Sequence, residues 1–225
     1  MLELICKPVF IIRENIVNPE INSTEKELLE GIKGFMPPDE GKLLFELAQH
    51  FGKKGPVLEI GSYCGKSAVY LGRGCIASGS VLFSLDHHNG SEEQQPGQEY
   101  FDPELYDNKR GKVDTLPHFR ETIEKANLTK TVIAIAADSE TVARFWKTPL
   151  SLIFIDGSHA YESVKKDYLH WAPHIMRGGA LAFHDIFENP EEGGQAPFLV
   201  YSEALSSDEF EFYQRTGSLR VLKKK

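Results

Sequence analysis

Pro56-Val-Leu-Glu-Ile-Gly-Ser-Tyr-Cys-Gly-Lys-Ser67 is the stretch whose reading decides the fold. Val57, Leu58 and Ile60 form a short apolar run around Glu59, and the run stops at Gly61. Gly65 follows, and then Ala68, Val69 and Leu71 recur at helical spacing. The pattern predicts a buried strand, a glycine turn and a helix. Glycines remove side chains where backbone must come close to a ligand, and the start of a helix offers unpaired N–H groups.

Two other glycine turns fit less well. A dinucleotide-binding turn needs three glycines in the order G-x-G-x-x-G, whereas Gly61 and Gly65 supply two at another spacing. Gly65-Lys66-Ser67 ends like a phosphate-binding loop, but the opening glycine of that loop would fall on Ile60. The loop is one residue short, so its N–H groups would not close around a phosphate. The apolar run Leu152–Ile155 before Asp156 also imitates a magnesium-holding strand end. A P-loop-like nucleotide hydrolase therefore stays as an alternative.

Glu59-Ile60-Gly61-x-x-x-Gly65 resembles the first motif of the class I S-adenosylmethionine-dependent methyltransferases. The resemblance implies that the turn lies against the methionine part of the cofactor. There is then no phosphate to cradle, which suits an acidic residue beside the turn. On this resemblance Glu59, Gly61, Ser62, Tyr63, Gly65 and Ser67 are cofactor-binding candidates. The plainer reading is that the glycines only serve a tight strand-to-helix turn.

At 225 residues and 41% hydrophobic, the chain fits one domain with a filled core. A formal charge of −8 argues against nucleic acid as a partner, which would need a basic face. Cys6, Cys64 and Cys75 have no metal-type spacing and read as free thiols in a reducing compartment. Cys64 sits inside the glycine turn and is expected to be a small packing residue. No apolar run approaches the roughly twenty residues that span a bilayer. The apolar N-terminus, Met1 to Ile12, lacks a basic leader and reads as a peripheral strand or docking arm, through which a homodimer could form. A cytoplasmic protein without a membrane partner is the expectation.

The rest of the chain alternates. Ser23-Thr24-Glu25 opens a helix that Gly34 stops, and Leu43, Leu44, Leu47 and Ala48 mark a second amphipathic helix running to Phe51. Val81–Leu85 is a strand that ends on Asp86, about 20 residues past the glycine turn, where ribose-binding folds place a carboxylate. Residues 87–106 have no period, and a structureless stretch of that length is a lid, a binding loop or disorder. It begins with His87 and His88, which should point in opposite directions, one of them toward the site. Helix, strand, helix and strand then follow through Val132–Ala136 and Leu150–Ile155, predicting a parallel sheet with crossover helices. Asp138-Ser139 lies where the family contacts adenine, and equally where a helix N-cap belongs.

Ile155-Asp156-Gly157-Ser158-His159-x-Tyr161-Glu162-x-Val164-x-x-Asp167 and Gly178-Gly179-Ala180-Leu181-Ala182-Phe183-His184-Asp185 are the most specific runs. Both are apolar strands ending on titratable residues. In a parallel sheet the carboxyl ends share one edge, so Asp86, Asp138, Asp156, His159 and His184-Asp185 should gather at one crevice. Such a gathering is costly unless a cation or a hydroxyl-rich ligand sits there. The two runs resemble metal-dependent O-methyltransferases of the catechol type and the macrolide sugar type, from about Met36 to Asp185. That resemblance implies a divalent ion, magnesium or manganese, on Asp156 and Asp185, with His159 as general base. His184 stands where the family carries an acidic residue; it is a metal ligand, a proton shuttle or a buttress for Asp185. Val164, Tyr168 and Trp171 should be core, Asp167 a surface or capping charge, and Gly178-Gly179 the end of the preceding helix. Glu209–Gln214 and Ser218–Leu222 alternate as an antiparallel hairpin, with Lys223-Lys224-Lys225 as a solvated tail.

The expected architecture is thus one α/β domain over residues 1–225: an N-terminal arm and helices to residue 52, then a Rossmann-like core from 53. Its sheet is mostly parallel, of seven strands, with helices on both faces and a C-terminal antiparallel hairpin. The expected function is S-adenosylmethionine-dependent methyl transfer to oxygen of a small hydroxylated molecule. The alternatives are the nucleotide hydrolase and a cofactor-binding protein without catalysis.

Overall fold

A computed structural model describes residues 23–225. The apolar arm expected over residues 1–12, and Cys6 within it, lie outside the described residues. Helices α1 (Ser23–Gly31) and α2 (Pro38–Phe51) come first, and α2 lays Leu43, Leu44, Leu47 and Ala48 into the core. Strand β1 (Val57–Ile60) is buried along its whole length, as an apolar run flanked by strands on both sides should be. Helix α3 (Lys66–Ser78) starts after Gly65 in a left-handed conformation, and Gly79, also left-handed, ends it. β2 (Leu82–Asp86) follows.

The stretch after β2 is not structureless. Two single-turn 3-10 helices (Glu92–Gln94 and Pro103–Leu105) and a short antiparallel pair, β3 (Tyr106–Asp107) with β4 (Lys112–Val113), fold it into a compact excursion. Ser91 and Gln94 cap the first turn reciprocally, the Asp102 carboxylate accepts from the Glu104 N–H, and Leu105 and Val113 are buried. Lys33, after α1, is paired with Asp102 and Glu104. Local caps and two apolar anchors order a segment that has no period of its own.

The chain continues through α4 (Leu116–Lys125), β5 (Val132–Ala136), α5 (Ser139–Phe145), β6 (Leu150–Ile155), α6 (Tyr161–Trp171), β7 (Ile175–Phe183), α7 (Ala196–Ser206), β8 (Phe210–Thr216) and β9 (Leu219–Lys224). The seven-stranded sheet has the order β5-β2-β1-β6-β7-β9-β8. The first five strands in that order are parallel; β9 runs antiparallel to β7 and β8 antiparallel to β9. Alternate strand residues divide the core. Val57, Leu82, Leu152, Phe154 and Ala182 face one cluster with α2, α3 and α4. Leu58, Leu85, Ile153, Leu181 and Phe183 face the other with α6 and α7. The period of two along each strand is what gives the sheet two buried faces.

Three boundary expectations change. Gly178-Gly179 lie inside β7 and not at a helix end: the register with β6 shifts between Leu150 and Leu152, and Gly178 takes φ 69° in that irregular stretch. α6 ends at Trp171, and Pro173 sits in a separate 3-10 turn, Ala172–His174. Lys223 and Lys224 belong to β9, with the Lys224 ammonium donating to the Ala172 carbonyl at 2.9 Å, so the last lysines are not all tail. Among the described residues no helix is long and apolar enough to cross a membrane.

Candidate active site

Parallel register brings the site together. Ile60 is level with Leu85 on one side and Ile155 on the other, and Ile155 is level with Phe183. The next residues along each strand, Gly61, Asp86, Asp156 and His184, therefore emerge side by side at the carboxyl edge.

The glycine turn is held by Asp86. One carboxylate oxygen accepts from the N–H groups of Ser62 and Tyr63 at 3.0 and 2.9 Å, and the other from the His88 N–H at 2.7 Å. Three of its roughly four lone-pair positions are thereby used, leaving one open. The same bonds use two of the loop N–H groups that a phosphate would need, which counts against the P-loop alternative. Gly61 has φ 86°, and a Cβ there would stand 2.2 Å from the Asp156 carbonyl oxygen, so β1 and β6 could not close with any side chain at this position. Gly65 serves packing instead: its added Cβ would meet Phe119 and Thr122 at 3.1 and 3.2 Å.

Glu59 is fully buried and receives hydrogen bonds from the hydroxyls of Ser67 and Ser84, the latter at 2.6 Å. Burial pushes its carboxyl up to about 8. Of the first-motif candidates, Glu59 and Gly65 line neither cleft of the carboxyl edge. Cys64 is buried, and burial raises its thiol to about 12, as a packing residue requires.

One cleft of about 420 Å³ runs past Gly61, Tyr63, Asp86, His87, Asp138 and Ser139. His87 lines it, while His88 turns the other way, buried, with Nδ1 2.8 Å from the Thr115 hydroxyl. Asp138 caps α5, accepting from the Thr141 N–H and hydroxyl at 2.8 and 2.6 Å. The Ser139 hydroxyl donates to Asp167 at 2.6 Å and accepts from the Trp171 indole N–H at 2.9 Å. Asp167 is therefore no surface charge: it forms part of the cleft wall, and burial raises its carboxyl to about 6 against the Ser139 bond.

A second cleft, about 300 Å³, shares Gly61, Tyr63, Asp156, Gly157 and Ser158 with the first. Its floor is a chain of alternating carboxylates and imidazoles. His184 Nδ1 lies 3.1 Å from Asp156 and 3.2 Å from Asp185, and its Nε2 lies 2.6 Å from Glu40. His159 places Nε2 2.8 Å from Asp185 and Nδ1 2.9 Å from Glu93. Burial opposes a charge on His184, but Asp156, Asp185 and Glu40 outweigh it and keep the ring protonated well beyond its ordinary range. Burial likewise works to raise Asp185, yet His159 and His184 hold it below the usual carboxylate range. Asp185 raises His159 to about 9, with Glu93 and Asp156 adding to it and burial subtracting. His159 does not cap α6: the Ser158 hydroxyl accepts from the Ala160 N–H at 3.1 Å, and the imidazole points at the carboxylates.

Asp156, His184 and Asp185 each offer one ligand atom within 4.8 Å of the others. Two carboxylates and an imidazole suit manganese, iron or zinc better than an all-oxygen site would.

Residues 58–186 match the family described as "Methyltransferase domain". The chain belongs to this methyltransferase family. Its fold is shared with solved structures of low identity. The O-methyltransferase from Bacillus cereus in complex with SAH is 20% identical, covers 93% of this chain and 94% of its own, and has a TM-score of 0.63. TomG from Streptomyces achromogenes, an O-methyltransferase of tomaymycin synthesis in complex with SAM, is 12% identical over 84% and 81%, with a TM-score of 0.59. Cofactor-bound Rv0187 from MTB is 16% identical over 88% and 87%, with a TM-score of 0.62.

In this methyltransferase the expected strand-end residues do converge, and three carboxylates that matter were not foreseen. Asp167 sits in the run already singled out, but its burial was not legible. Glu93 lies in the stretch without period. Glu40 left a signal: with Leu43, Leu44 and Leu47 it falls on the buried stripe of α2, where a carboxylate must have a partner.

Proposed function

We propose that the methyltransferase moves the methyl group of S-adenosylmethionine to a hydroxyl oxygen of a small molecule, with a divalent cation on Asp156, His184 and Asp185. The observation that carries this reading is the shared wall of the two clefts, which puts the glycine turn next to the carboxylate–imidazole chain.

The first cleft fits the cofactor. Asp86 keeps one lone-pair position for ribose, and His87, Asp138 and Ser139 flank the far end; where the second cleft adjoins it, Ser62 brings a buried hydroxyl without a partner among the described residues. A buried polar atom of that kind calls for a ligand group. Bound cofactor supplies an electrophilic sulfonium methyl, and a bound cation lowers the pKa of a hydroxyl that it touches. The chain's own residues do the rest. Asp156 and Asp185 provide the negative field that draws a cation to the floor of the second cleft. Phe35, Tyr63 and Tyr100 form an aromatic side to that cleft, with Phe35 5.7 Å from Tyr100 between ring centres. His159 is the proton acceptor nearest the cluster. Held between Asp185 and Glu93 its ring keeps a proton at neutral pH, so the ordinary imidazole value near 6.5 does not apply. Base catalysis requires one of the two carboxylates to be engaged elsewhere during turnover.

The test is calorimetric titration with S-adenosylhomocysteine, followed by methyl-transfer assays over a panel of catechols and hydroxylated sugars. Tight S-adenosylhomocysteine binding is expected in wild type, Asp156→Asn and His159→Ala, with turnover in His159→Ala reduced by about 10²–10⁴-fold. Wild type that binds ATP and ignores S-adenosylhomocysteine would sink the proposal.

A further inference from the structure

We propose that Glu40 is a positioning residue for the cation site: it fixes the imidazole of His184 so that Nδ1 faces Asp156 and Asp185. This rests on the reading of Asp156, His184 and Asp185 as a cation site. Glu40 is only 3% exposed, although it lies in the first turn of α2, far in sequence from the strand ends. One of its oxygens accepts from His184 Nε2–H at 2.6 Å. The other accepts from the Ser218 N–H at 2.6 Å and the Ser218 hydroxyl at 3.1 Å, in the turn between β8 and β9. The carboxylate is thus held from two sides before it meets the imidazole, and its remaining direction is spent on Nε2.

The consequence follows from the chemistry of imidazole. A neutral ring carries one proton, and the nitrogen without it is the one that ligates. Without a cation the ring donates from Nδ1 to the pair Asp156 and Asp185, 3.1 and 3.2 Å away; a cation held between them would displace that proton, and with Glu40 accepting at Nε2 it is Nδ1 that is then freed to ligate. A carboxylate behind a ligating histidine orients the ring and raises its basicity, and its loss lowers metal affinity by about 10–100-fold. In Glu40→Gln one of the two acceptor oxygens becomes an NH₂ group. Either the Ser218 N–H or His184 Nε2–H then meets a donor, and the ring is free to carry its proton on Nδ1, toward the cation position.

The experiment is titration of full-length protein with Mn²⁺ by calorimetry, and with Co²⁺ by visible absorption, for wild type, Glu40→Gln, Glu40→Asp and Asp39→Asn. Asp39 is the exposed neighbour on the same helix, and its neutralisation changes net charge equally. The expected result is a tenfold to hundredfold loss of Mn²⁺ affinity and an altered Co²⁺ spectrum in Glu40→Gln, a smaller loss in Glu40→Asp, and none in Asp39→Asn. S-adenosylhomocysteine affinity should hold in all four. A merely structural Glu40 would lower the melting temperature while the folded protein kept its Mn²⁺ affinity and Co²⁺ spectrum, and that outcome overturns the inference. If wild type itself takes neither ion, the cation reading falls and this inference with it; if wild type binds and Glu40→Gln binds equally, only the inference falls.

Discussion

Glu59 shows how one residue writes a pH dependence into the whole fold. Its carboxyl sits near 8 in the folded chain against 4.5 in the open one, because burial disfavours the anion more than the Ser67 and Ser84 hydroxyls favour it. Between those two values the folded protein holds a proton that the unfolded chain has released. Stability therefore falls as pH rises from about 4.5 to about 8, by at most about 1.4 kcal/mol per pH unit. His159 acts in the same direction over a higher window: its folded value is near 9 and its ordinary value 6.5. Its contribution is complete below about 6.5 and lost as pH rises through about 9. Thermal melts from pH 5 to 9 in the presence of a chelator should show a declining midpoint. Glu59→Gln is expected to flatten the lower part of the decline and His159→Ala the upper part; an unchanged slope in both would show that other groups set it.

At the scale of elements, the turn Glu92–Gln94 is joined to the loop after β6. Glu92 accepts from the Ser158 hydroxyl at 3.2 Å, and Glu93 faces His159 at 2.9 Å. These contacts are partly exposed, so each contributes about 0–1 kcal/mol, too little to hold the excursion but enough to bias where its tip rests. Glu93→Ala should speed hydrogen exchange at residues 91–95 while the melting midpoint moves by no more than about 2–4 °C. If exchange there stays slow, the tip is held by its caps and by Leu105 and Val113 alone. The capping box, the Asp102 cap and the apolar anchors are all short-range signals, visible residue by residue in 91–113. Their sum was not visible, because none of them has a period.

For the whole molecule, Trp171 is the largest fully buried side chain and joins three parts of the structure. It stacks edge-on against Trp146 at 5.4 Å between ring centres, donates to the Ser139 hydroxyl, and through Ser139 holds Asp167 in the wall of the first cleft. Trp171→Ala should cost about 3–5 kcal/mol of stability by denaturant melts. Trp171→Phe should cost less while weakening S-adenosylhomocysteine binding, since it frees Ser139 without emptying the core. Equal losses in both variants would mean that the hydrogen bond, and not the ring, dominates.

The amino-acid sequence by itself determined the alternation of strands and helices, the glycine turn after β1, and the titratable residues that end β2, β6 and β7. These are consequences of local periodicity and turn chemistry, which act within a few residues. Only the tertiary structure decided how each titratable group is used. It committed Asp86 to the N–H groups of Ser62 and Tyr63, buried Glu59 away from both clefts, and put Glu40 against His184. A hydrogen-bond partner and a degree of burial depend on chain segments that meet only when the sheet closes, and no spacing along the chain encodes them.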